Sequence, residues 1–160
     1  MDLINYKEDL DTIWQTNDKP SIASNGYAIE RNLAEGTVLF IGINPSYNKD
    51  TSIKYLFYDF GHRYFQVSKD MADRLAVPYA HHDLYFVRCT DQRTVRDAIF
   101  RYPMFFRKQL DLTKRIIKEA KPKLIVVINA DASRIFKTEF NLDGLTLFLV
   151  CVIGCSECLI

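Results

Sequence analysis

Two short, uninterrupted apolar runs, far apart in the chain, constrain the fold most. Thr37-Val-Leu-Phe-Ile-Gly42 follows Gly36, and Lys123-Leu-Ile-Val-Val-Ile-Asn129 follows Pro122. A strand with one wet face alternates apolar and polar residues, so a run without alternation needs cover on both faces. Both runs therefore read as interior strands of a parallel sheet, which requires helical crossovers between strands. The intervening sequence supplies them. Residues 3–15 read as a short helix on Leu3, Leu10, Ile13 and Trp14. Residues 64–76 read as an amphipathic helix on Phe65, Met71, Ala72, Leu75 and Ala76. Pro103 opens a long helix to Ala120, striped by Phe106, Leu110 and Ile117, with Phe105, Leu112 and Ile116 alongside. Asp83-Leu-Tyr-Phe-Val87 reads as a second strand, Leu145 to Ile153 as a fourth, and Ala130 to Lys137 as one or two helical turns. Residues 17–36 read as an arm packed on the domain, and residues 44–61 as a loop rich in aromatics and turn formers. Right-handed crossovers place helices on both faces of such a sheet. The expectation is one α/β domain spanning residues 1–160.

Composition narrows the function classes. A content of 48% hydrophobic and 26% charged residues is globular and excludes collagen, coiled coil and disorder. The formal charge of +1 excludes a histone-like polycation, yet residues 88–123 carry eleven basic and four acidic side chains. That block reads either as a solvated helix face or as the electrostatic footprint of a polyanion such as nucleic acid. No secretory signal and no apolar run long enough for a bilayer is visible, so the expectation is a cytoplasmic protein with no membrane partner and reduced cysteines. Cys151-x3-Cys155-x2-Cys158 has an iron–sulfur spacing but reads better as thiols at a strand end. A structural zinc would need Cys89, His81 or His82 as a further ligand. No phosphate loop, dinucleotide fingerprint or nucleophile elbow is present, so no cofactor and no metal is expected.

In open α/β sheets, ligands bind beyond the carboxyl ends of the strands. This singles out Gly42-Ile43-Asn44-Pro45-Ser46, directly after the first strong strand. Gly42 permits close backbone approach, and Pro45 pushes Asn44 toward an extended conformation. The Asn44 amide both donates and accepts, so it can hold a water or a substrate edge; it does not titrate and is no strong base. The same residues also make an ordinary turn. Arg88, Thr90, Asp91, Gln92 and Arg93 follow the second strand and should reach the same edge, with Arg96 beyond them. Asn129 ends another strand there, either lining the site or capping the helix that follows. His81 and His82 alternate faces on an extended chain, which makes chelation awkward and a structural role the better reading. His62 lies in the aromatic loop, as a candidate phosphate or base contact.

The run Val38-Leu-Phe-Ile-Gly-Ile-Asn-Pro-Ser46 resembles the first motif of the uracil-DNA glycosylase superfamily, closest to the mismatch-specific uracil and thymine glycosylases. Arg63-Tyr-Phe65 before a helix is similar to a stretch that follows the motif there, and Lys123–Asn129 resembles the third core strand. The likeness covers about residues 37–140. It implies a three-layer α/β/α sandwich with a central four-stranded, mainly parallel sheet. It also implies hydrolysis of the N-glycosidic bond of a flipped uracil or related damaged base in DNA, without metal, cofactor or obligate protein partner. Asn44 would then be the catalytic residue that positions water. Gly42, Ile43, Pro45, Ser46, Phe57, Tyr64, Phe65 and Asn129 would form the base pocket, with Phe60 as a further candidate wall. His62, Arg88, Arg93 and Arg96 would meet DNA. A small Ser46, where the uracil-specific branch has Tyr, implies room for a 5-substituent. The sequence departs from the family after Val150. Cys151-Val-Ile-Gly-Cys-Ser-Glu-Cys-Leu-Ile160 stands where a His-Pro-Ser or Asn-Pro-Ser motif is expected, which suggests a truncated or altered segment at about 145–160. The alternative is therefore a catalytically inactive member that binds nucleic acid or a base-like ligand.

Overall fold

The computed structural model describes residues 2–47, 55–57, 65–140 and 147–148, the two short strands 55–57 and 147–148 by their backbone. The chain forms an α/β fold. A 3-10 turn (Leu3–Tyr6) leads into α1 (Lys7–Trp14), and a second 3-10 turn (Ser21–Asn25) leads into β1 (Tyr27–Ile29). Then come β2 (Val38–Gly42), β3 (Tyr55–Phe57), α2 (Gln66–Arg74), β4 (Tyr79–Asp83), α3 (Gln92–Arg101), α4 (Pro103–Ala120), β5 (Leu124–Val127), α5 (Ala130–Glu139) and β6 (Leu147–Phe148).

The sheet is built around β2, with β4 on one side and β5 on the other, all parallel. Gly42 pairs in register with Asp83, and Ile41 with both His82 and Val127. The two-residue β6 extends this sheet beyond β5, also in parallel. β1 and β3 form a separate parallel pair. All five residues of β2 are buried, as its unbroken apolar run predicts. Their side chains divide by parity. Leu39 and Ile41 join the main core with α1, α3, α4 and α5, whereas Val38 and Phe40 join a second cluster with Ala72 of α2. Burying each such side chain contributes about 1.5–3 kcal/mol.

α4 has the bounds its Pro103 and Pro122 predict, and all six predicted stripe residues are buried. It stops at Lys121, whose left-handed conformation (φ 46°) lets its N–H bond back to Ile117 O. Four expectations are corrected. The second strand is Tyr79–Asp83 rather than residues 83–87. His81, His82 and Asp83 look too polar for a buried strand, but each is buried beside another polar group. Residues 92–101, read from the sequence only as following the second strand to the carboxyl edge, form a helix, because Asp91 accepts from the N–H groups of Arg93 and Thr94 at its start. The region after Pro20 contains a strand, β1, and the aromatic loop contains its partner, β3. In the helix expected at 64–76, Leu75 and Ala76 are exposed rather than buried, since α2 ends at Arg74. Among the described residues no helix is long and apolar enough to cross a membrane.

Candidate functional site

β2 delivers the chain to the carboxyl edge of the sheet, and Gly42-Ile-Asn-Pro-Ser-Tyr47 continues beyond it with a bend at Ile43 and Asn44. It is zipped to residues 84–90, which leave β4 beside it. Leu84 N donates to Gly42 O (3.1 Å), Tyr85 N to Ile43 O (3.0 Å) and Cys89 N to Pro45 O (2.9 Å). Tyr47 N donates to Thr90 Oγ1 (3.1 Å), and that hydroxyl donates to Tyr47 O (2.8 Å). From the other side, the buried Gln109 of α4 accepts from Phe86 N (2.9 Å) and Val87 N (3.2 Å).

Asn44 is the centre of this zip. Its Nδ2 donates to Cys89 O (2.7 Å), Pro45 O (3.0 Å) and Val87 O (3.3 Å). Carbonyl oxygens only accept, so these three partners fix which end of the amide is nitrogen. Oδ1 is thereby aimed away from the clamp, and it accepts no hydrogen bond among the described residues. The half-buried side chain thus presents one fixed carbonyl acceptor at the end of the central strand. That acceptor can hold a water by one of its protons.

Gly42 is required by its neighbours across the sheet. A Cβ at this position would overlap Asp83 Oδ1 and lie 3.5 Å from His81 Cε1. Asp83 and His81 are both buried, with Oδ1 and Nε2 3.5 Å apart. The ring of Phe65, just before α2, meets His81 edge to face at 5.0 Å. Gly42, Asp83, His81 and Phe65 therefore form one contiguous group on the α2 face of the carboxyl edge. The sequence reading gives His81 a structural role and does not pair it with Asp83. Their i, i+2 spacing was the available signal, because it puts both on one strand face.

His82 points to the opposite face, where its Nδ1 lies 2.8 Å from Glu30 Oε1 and its Nε2 3.4 Å from Thr113 Oγ1. The Thr113 hydroxyl donates to Leu84 O (3.0 Å). The order carboxylate, imidazole, hydroxyl is that of a catalytic triad. His82 and Glu30 are at most 1% exposed and Thr113 is fully buried, so no substrate reaches the hydroxyl. The chain of bonds ties β1, β4 and α4 together.

The remaining sequence candidates are distributed as follows. Ile43 and Pro45 are buried beneath the segment, and Ser46 is exposed on it. Asn129 stands at the carboxyl end of β5, adjacent to β2, and its Oδ1 accepts from Asp131 N (2.9 Å) and Ala132 N (3.1 Å) as the cap of α5. Arg88 is only 2% exposed. Its guanidinium lies over the Tyr47 ring (5.1 Å), and burial pulls its pKa below the usual arginine range. Arg93 is exposed in the first turn of α3. Arg96 is exposed and paired with Asp131 (3.6 Å). The Phe57 backbone lies in β3, and its side chain falls outside what the structure describes, as do Phe60, His62, Tyr64 and residues 151–160. Burial pushes the Cys89 thiol pKa up, away from a reactive thiolate. Among the described residues no group of three or more His, Cys, Asp or Glu could hold a metal ion.

Comparison of the chain with protein-family models, with curated proteins and with solved structures finds no match.

Proposed function

We propose that the chain is a DNA glycosylase resembling the uracil-DNA glycosylase superfamily, hydrolysing the N-glycosidic bond of a flipped uracil or related damaged base. The observation that carries this reading is the Asn44 amide, locked by three carbonyls with its Oδ1 open at the mouth of the central strand. A target base inside a duplex is out of reach, so it must be extruded into a pocket. The bond then breaks through an oxocarbenium-like state that a positioned water captures. An amide oxygen orients that water by accepting one of its protons, without serving as a strong base. A three-layer α/β/α domain with four parallel strands is the scaffold this reading requires. It agrees with the split of apolar clusters across β2 and with the pairing of β6.

The second reading is a superfamily-like binder of nucleic acid or of a base-like ligand that does not cleave. It is favoured by Asn129, whose Oδ1 is spent on capping α5 rather than offered to a base. Alkali-induced strand cleavage separates the two. Oligonucleotides would carry uracil, thymine opposite guanine, or hypoxanthine. Cleavage that is lost in Asn44→Ala, at a temperature where that variant is still folded, supports the glycosylase. No cleavage of any substrate by folded wild-type protein overturns it in favour of the binder.

A further inference from the structure

The two most exposed large apolar side chains among the described residues stand four positions apart at one corner of the molecule. Phe100 is 88% exposed and Met104 is 61% exposed. They flank the elbow at Tyr102, which closes α3 through its N–H to Ala98 O, and Pro103, which opens α4. The inner side of α3 is accounted for, since Val95 and Ala98 are buried. The outer side is not. Helical spacing puts Phe100 in line with Arg93 and Arg96, seven and four residues earlier. Arg101 and Lys108 flank the elbow, both exposed. Arg93, Arg101 and Lys108 form no salt bridge among the described residues, whereas Arg107 is engaged by Asp111 (3.1 Å) and Glu139 (2.8 Å). Asp97 is the one acidic side chain on this stretch of α3 beyond the cap.

The corner also has a place relative to the site. α3 starts at Asp91, two residues after Cys89, whose carbonyl holds the Asn44 amide. Its middle reaches the first turn of α5 through Arg96 and Asp131, next to Asn129. The helix therefore lies along the carboxyl edge of the sheet.

We infer that the α3–α4 elbow is a nucleic-acid contact, in which a base stacks on Phe100 while phosphates meet Arg93, Arg101 and Lys108. An aromatic face among unpaired cations matches a base beside its phosphates, because every base offers a π-face and every linkage a negative charge. A purely apolar protein partner would use Phe100 and Met104 but would leave Arg93, Arg101 and Lys108 without counter-charge, which a run of phosphates supplies at every linkage. The inference rests on the glycosylase reading for its substrate and extends it to residues outside the Asn44 segment.

The test uses the full chain and fluorescence anisotropy with two labelled probes: a 20-nucleotide single strand, and a duplex carrying a tetrahydrofuran abasic-site analogue. Phe100 is solvent-exposed, so Phe100→Ala should keep its circular dichroism and melting temperature. It should weaken binding about 5- to 150-fold, the effect of one lost base stack. Phe100→Trp should restore binding. Arg101→Ala should weaken binding and lower the slope of log K against log salt by about 0.7 on the single strand and 0.9 on the duplex. Binding by Phe100→Ala within twofold of wild type overturns the inference and leaves the glycosylase reading standing. So does a Phe100-dependent dimer in sedimentation with unchanged probe affinity, which would assign the corner to a second copy of the chain. A wild-type protein that binds neither probe overturns both.

Discussion

Replacing Asn44 by Ala removes two amide protons shared among three carbonyls, at 2.7, 3.0 and 3.3 Å. A hydrogen bond contributes about 0.5–1.5 kcal/mol net, so two protons correspond to about 1–3 kcal/mol. Pro45 O retains its bond from Cys89 N (2.9 Å), so the loss falls on the carbonyls of Val87 and Cys89. With a urea m-value of about 2 kcal/mol/M, the unfolding midpoint should drop by about 0.5–1.5 M. Asn44→Asp carries the sharper test. At neutral pH it aims lone pairs at three carbonyl oxygens and should destabilise more than Ala does. Burial against those oxygens raises the folded pKa of the introduced carboxyl above its unfolded value. Its deficit should therefore shrink as the pH falls through the folded pKa, when a protonated carboxyl donates again. Urea titrations followed by circular dichroism at pH 7 and at pH 4 measure both effects. A midpoint shift under about 0.2 M for Asn44→Ala, or Asp tolerated better than Ala at pH 7, would refute the clamp and the amide orientation on which the water-holding argument depends.

Gly42→Ala should cost about 1–3 kcal/mol by overpacking against Asp83, and most of that cost should vanish in an Asp83→Ala background. Additive losses in a urea double-mutant cycle would contradict the close approach. Asn129→Ala should cost about 1 kcal/mol through the lost α5 cap, while Asn129→Asp should keep the stability. A change in base excision for Asn129→Asp at unchanged stability would then report a pocket role. Burial raises the phenols of Tyr85 and Tyr6 to about 12, with Glu139 and Glu119 adding to the respective effects. A raised folded pKa means stability is fully present below the unfolded value of about 10 and is lost as the pH rises toward 12. Ultraviolet titration should show two phenols ionising late, and ionisation of every tyrosine near pH 10 in folded protein would refute their burial. Ser46 is exposed beside the clamp, so Ser46→Tyr should leave the fold intact and depress excision of 5-substituted bases more than of uracil. Equal activity on both would count against a selective role.

The two unbroken apolar runs and the proline-bounded helix were legible because burial on two faces and helix punctuation are written in adjacent residues. The fate of polar residues was not. His81-His82-Asp83 is a buried strand because Glu30, more than fifty positions away, lies against His82, and because Gly42 makes space for Asp83. α3 escaped notice because few of its residues are apolar and its cap, Asp91, looks like any loop residue until a helix follows it. At the candidate site, Gly42 and Asn44 stood out from the strand–turn pattern alone. That pattern carries no information on which amide atom faces outward, since the answer lies in the carbonyls of Val87 and Cys89 in the segment that leaves β4. Arg88 and Phe100 make the same point in opposite directions. The sequence places both in one basic stretch, yet the arginine is buried under Tyr47 and the phenylalanine stands in water. Local pattern specifies which segments must hide an apolar face. Which polar groups are hidden with them, and which apolar ones are left out, depends on the partners that distant segments bring, because hydrogen bonds and charge compensation act only at contact.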